Sequence, residues 1–158
     1  MVLLEFASSY VDVGVLVLRV FVGFIMLVHG LPKLAGPVRP QMRNAMSQVG
    51  VPGPLFDLVG LLEVVGGLAL IFGFLTRVAA LLFALMMVGT IVLYLTKLGV
   101  MVPPPEMLTQ MVQGSRRIMR GFIAGVGGWE FDLLILGVAI LLFTTGAGAY
   151  SIDALIGL

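Results

Sequence analysis

Four nearly uncharged stretches, at about 13–31, 55–74, 78–96 and 129–146, decide what this chain can become. A helix that crosses a bilayer needs roughly 20 mostly apolar residues, and each stretch comes close to that length. The first is interrupted by Arg19 and His29, the second by Asp57 and Glu63. The third carries no charge between Arg77 and Lys97, and the fourth none after Asp132. Barrel strands would alternate polar and apolar residues over segments of about ten; these segments are solidly apolar. Charged residues make up only 11% of the chain, whereas a soluble domain needs about a quarter to keep its surface wet. The expected fold is therefore an all-α integral membrane four-helix bundle, one domain over residues 1–158, in the cell membrane as a multi-pass protein. The first stretch lacks a basic leader and a cleavage site, so it reads as a retained span rather than a signal peptide.

The connections say which helices are neighbours. FGFLTRVA, between spans two and three, is short enough to force a tight antiparallel hairpin. The other two connections are long and leave from the same membrane side, since each follows an odd-numbered span. Leu31–Pro54 holds a short amphipathic segment at Gln41–Val49, flanked by prolines. Lys97–Gly128 holds the VPPPE run, which favours an extended polyproline path, followed by a basic amphipathic stretch suited to the headgroup layer. Nine Lys and Arg residues are present; with Arg19 in a span and Arg77 in the short connection, seven remain on the long-loop side. The positive-inside rule then places the long loops in the cytoplasm and both termini outside.

Several chemistries are excluded at once. The chain has no Cys and one His. That leaves no disulfide, no thiol chemistry, no Cys-ligated cluster and no two-histidine haem site. No metal or haem is expected on this chain alone. The net charge of +1 offers none of the basic surplus that nucleic acid requires.

Ionisable groups at membrane depth are the candidate functional residues, because each is costly to bury alone. Counted from the loop-side ends of their spans, Arg19 and Glu63 differ in depth by about 6 Å, so a buried Arg19–Glu63 ion pair is expected. Such a pair serves equally as a clasp between spans one and two or as the anchor of a polar pocket. A second set collects at the long-loop ends: His29, Lys33, Tyr94, Lys97, Trp129, Glu130 and Asp132, with Thr90, Tyr94 and Lys97 along one face of span three. Interface belts and snorkelling account for Trp129, Tyr94 and Lys97, and less well for His29 and the two carboxylates. A His beside a carboxylate, opened to lipid at the interface, suits a quinone head group. The His or Tyr would hydrogen-bond a carbonyl, and the carboxylate would relay protons. On this reading His29, Glu63 and Glu130 are catalytic, while Arg19, Lys33, Arg77, Tyr94 and Trp129 bind quinone or an anion; Arg77, at the opposite face, serves a second site there.

LRVFVGFIMLVHGLPKL, LVGLLEVVGGLALIFGFLTRVAALLFALMM and GGWEFDLLILGVAILLFTTGAGAYSIDALI together resemble the DoxX/DoxD-like family of small four-helix membrane proteins. The most specific matches are Glu63, Gly66, Gly67, Gly73, Thr76 and Arg77. Arg19, Gly23, Gly30 and Lys33 also match, as do Trp129, Glu130 and the closing Gly148, Tyr150, Ser151 and Asp153. The loop after Pro32 and the insert from VPPPE onward depart from the family pattern. The resemblance implies two kinds of role. One branch is similar to the membrane subunit of thiosulfate:quinone oxidoreductase, which implies a quinone-linked, respiratory oxidoreductase subunit with quinone as cofactor. Others are scaffolds or assembly subunits of membrane complexes, which implies partner subunits or self-association and no catalysis. Fold analogy alone does not choose between them.

Overall fold

The computed structural model describes residues 2–97 and 129–158, with side chains from Tyr10 onward. Its elements are α1 (Val2–Leu34), α2 (Arg39–Gln48), α3 (Gly53–Phe72), α4 (Thr76–Thr96), α5 (Trp129–Thr145) and α6 (Ile152–Ile156). The segment 98–128, with the VPPPE run and the basic stretch carrying Arg116, Arg117 and Arg120, lies outside the described residues. α1, α3 and α4 are each long and apolar enough to cross a membrane. α5 shares their composition and, at 17 residues, is about 25 Å long; it completes the bundle of four. Large apolar side chains such as Phe21, Leu61, Leu85 and Leu134 point outward, as they should where the solvent is lipid.

The boundaries follow from local chemistry. α1 begins well before residue 13 and passes through Pro32 to Leu34, so the proline does not end it. Pro32 removes one donor in the last turn, and Ala35 N still donates to the Leu31 carbonyl at 2.9 Å. α3 begins behind Pro52 with a second proline in its first turn, where the missing N–H has no helical partner to lose. It ends at Gly73, whose φ of 67° is left-handed. Phe74 N reaches back to the Ala69 carbonyl at 2.8 Å, a Schellman closure for which glycine is the natural residue.

Two antiparallel pairs make the bundle: α1 on α3, and α4 on α5. Glycine sets the first. A methyl on Gly67 would lie 2.7 Å from the Gly23 carbonyl oxygen, and one on Gly30 would lie 2.9 Å from that of Gly60. Two glycines, two turns apart on each helix, thus bring the backbones into near contact, where dispersion and packing rather than hydrophobicity hold spans together. Met26, Leu70, Phe83, Met87, Ile135 and Leu142 fill the centre between the pairs.

Candidate functional site

Buried polar groups gather at both ends of the bundle, and the two gatherings differ in kind. At the long-loop end, Lys33 Nζ of α1 pairs with Glu63 Oε1 of α3 at 2.5 Å. Glu63 is 5% exposed, and among the described residues its second oxygen, Oε2, has no hydrogen-bond partner. Asp132 of α5 faces the same place. It stands within electrostatic reach of Lys33 and Glu63 and beside Thr90 of α4, whose hydroxyl donates to the Met87 carbonyl at 3.0 Å. His29, one turn before Lys33, stacks on Phe131 of α5 with ring centroids 5.6 Å apart and planes inclined by 24°. Four helices therefore contribute to one cluster, in which the Lys33 ammonium is paired with Glu63 and stands near Asp132.

The expected Arg19–Glu63 pair does not form. Lys33 takes Glu63, and Arg19 is fully buried elsewhere. The reason is stagger. Spans one and two do not end level with each other: Gly60, seven residues into α3, already lies against Lys33 and Leu34 at the end of α1. The first two turns of α3 thus project beyond α1, and Glu63 lies opposite Gly30 rather than near Arg19. α2 fills the projecting corner. Arg39 and Arg43 both reach Asp57, at 2.9 and 3.3 Å, and Arg39 Nε donates to the Lys33 carbonyl.

At the short-connection end, backbone groups consume the charges. Arg19 donates to the carbonyls of Leu70 and Tyr150, binding a cation to the carbonyl end of α3 where the helix dipole favours it. Asp153 accepts from Leu75 N at 2.7 Å and Thr76 N at 2.9 Å, closing the start of α4 and holding Leu75 at a φ of 50°. Ser151 caps α6 through Ala154 N, and Asp12 accepts from Ala149 N. The closing segment is thereby stitched to α1, α3 and α4. This end is a clasp.

The remaining candidates are spread out. Glu130 is exposed and faces an open apolar depression along the outer side of α5, away from the cluster. Trp129 is exposed at the start of α5, Tyr94 is half-buried on α4, and Arg77 is exposed over Gly146 at the clasp end. Among the described residues no three His, Asp or Glu side chains gather to hold a metal ion. An apolar groove of about 430 Å³ runs between α1 and α5, lined by Val17, Phe21, Ile25, Phe131, Leu134 and Val138. Its loop-side end is the Ile25–Phe131 wall, one helical turn from His29. Asp132 and Thr90 belong to the cluster, although sequence reasoning assigned neither a catalytic or binding role. The polar face of span three pointed to Thr90, whereas nothing in an all-apolar α5 distinguished the direction of Asp132 from that of Glu130.

The DoxX family model matches residues 14–96. "Inner membrane protein YqjF" of Escherichia coli is 38% identical over 147 residues, 92% of this chain and 93% of the relative. "Putative oxidoreductase CatD" of Bacillus subtilis is 29% identical over 142 residues, 90% of this chain and 86% of the relative. No solved structure matches the chain.

Proposed function

The chain belongs to the DoxX family of membrane proteins, and on that premise we propose that it is the membrane subunit of a quinone-linked oxidoreductase. The observation that carries this reading is the loop-side cluster of His29, Lys33, Glu63 and Asp132, joined to the apolar groove through Phe131, which stacks on His29 and lines the groove. The oxidoreductase in CatD's name supports the same class. A quinone needs an apolar seat for its tail and polar groups for its carbonyls. Glu63 Oε2, buried and without a hydrogen-bond partner among the described residues, fits such a head group.

When bound, the quinone supplies a two-electron acceptor whose reduction takes up two protons. His29, held by its stacking on Phe131, would hydrogen-bond one carbonyl. Lys33 would place a positive charge beside the head group. Glu63 and Asp132 would hold and pass protons from the loop-side water, with Asp132 in the role that the sequence alone offered to Glu130. The electrons come from a partner subunit, because a chain without Cys and with one His has no evident redox centre of its own. Long loops on the cytoplasmic side, by the Lys and Arg distribution, complete the proposed arrangement.

A scaffold without catalysis is the second reading, favoured by the clasp end, where every hydrogen bond of Arg19 and Asp153 serves the backbone. Purification from native membranes separates the two. The co-purifying subunits are identified, and quinone reduction is assayed with thiosulfate among the reductants. Loss of turnover in His29→Ala and Glu63→Gln, with the complex still assembled, is the expected result. A complete redox enzyme whose activity survives both substitutions would leave the scaffold reading in place.

A further inference from the structure

Among the described residues, cations outnumber acids at the loop-side ends of α2, α3 and α4. Arg39 and Arg43 share Asp57, and Lys97 has no carboxylate within ion-pair distance among the described residues. The tight turn from Gly50 to Gly53 brings two of these cations together. A methyl on Gly50, which has a φ of 87°, would come within 2.8 Å of the Lys97 ammonium. One on Gly53 would strike the Arg43 guanidinium. Both cationic heads therefore lie against one short piece of backbone, and at Gly50 the left-handed φ also favours glycine. In the first turns of α3 and the last turn of α4, Leu55, Leu58 and Leu95 are exposed. Cations and exposed apolar side chains thus share this end of the bundle.

We propose that this end binds the phosphate of an anionic phospholipid, with Arg43 and Lys97 on the phosphate oxygens and the acyl chains against Leu55, Leu58 and Leu95. Charge complementarity selects a phosphate, and the exposed leucines select one that carries acyl chains. Cations packed between or beside spans hold lipid head groups in this way. The assignment stands apart from the quinone reading, since Lys33, Glu63 and Asp132 take no part in it.

The test is lipid retention by the purified full-length protein in mixed micelles, read by native mass spectrometry with phosphatidylglycerol and phosphatidylcholine in competition. Wild type should prefer phosphatidylglycerol. Lys97→Gln should weaken that preference about 5-fold and Lys97→Gln with Arg43→Gln about 30-fold, the equivalent of about 1 kcal/mol per cation. Lys97→Arg should restore it. Phosphatidylcholine retention and melting temperature should stay at wild-type values in Lys97→Gln, since that side chain is exposed. Displacement of phosphatidylglycerol by millimolar inorganic phosphate would overturn the lipid and assign the same cations to a free anion. Equal retention of both lipids, or a preference that survives the double substitution, would overturn the site altogether.

Discussion

Lys33, Glu63 and Arg19 show how a few angstroms of register decide what a charge is for. Glu63 is matched by its type and depth to either of two cations, and only the stagger of α3 beyond α1 gives it to Lys33. Breaking that pair from one side leaves an uncompensated charge where water cannot reach it. Lys33→Met should therefore destabilise the protein in detergent by about 3–5 kcal/mol, while Lys33→Met with Glu63→Leu should recover most of the loss. A double-mutant cycle on thermal unfolding measures this; additive effects would mean the two side chains do not interact. Gly73 offers a second test. Its left-handed backbone and the Arg19 guanidinium both oppose a side chain there. Gly73→Ala should cost about 1–3 kcal/mol, whereas Gly137→Ala, at a position with open space around it, should be close to neutral.

At the level of elements, the four spans were legible because a bilayer admits little besides helices of sufficient apolar length. The short helix between prolines in the first long loop was legible too, from its polar and apolar alternation. Rotation was the hidden variable. α5 is apolar nearly all round, and without a polar stripe its sequence does not say which face turns inward. Glu130 and Asp132 were thus equivalent on paper, although about 200° apart around the helix. Likewise α6 is too short for periodicity to reveal, and Asp153 matched a family motif before its purpose was visible. The glycines of α1 and α3 make the sharpest claim at this scale. Gly67→Leu should separate the two helices and prevent folding, since even a methyl meets the Gly23 backbone. Gly67→Ala should fold with reduced stability. Proteolysis in detergent reads both outcomes; a stable Gly67→Leu protein would refute the packing.

The whole molecule is polar at two ends joined by an apolar middle, and the account gives the ends different work. Its orientation is testable without background signal, because the native chain has no Cys. A thiol placed at Asn44, exposed on α2, should resist an impermeant reagent in intact cells and react once the membrane is opened. Labelling in intact cells would reverse the proposed topology. The most direct test of the division of labour compares one carboxylate from each end in native membranes. Quinol formation per assembled molecule is measured for Asp132→Asn at the loop-side cluster and Asp153→Asn at the clasp. The account predicts that Asp132→Asn lowers turnover by about 10²-fold or more, the usual contribution of a positioned proton carrier, at unchanged protein level. Asp153→Asn should reduce the amount of folded protein and leave turnover per molecule intact. Unchanged turnover in Asp132→Asn, or a loss confined to Asp153→Asn, would contradict it.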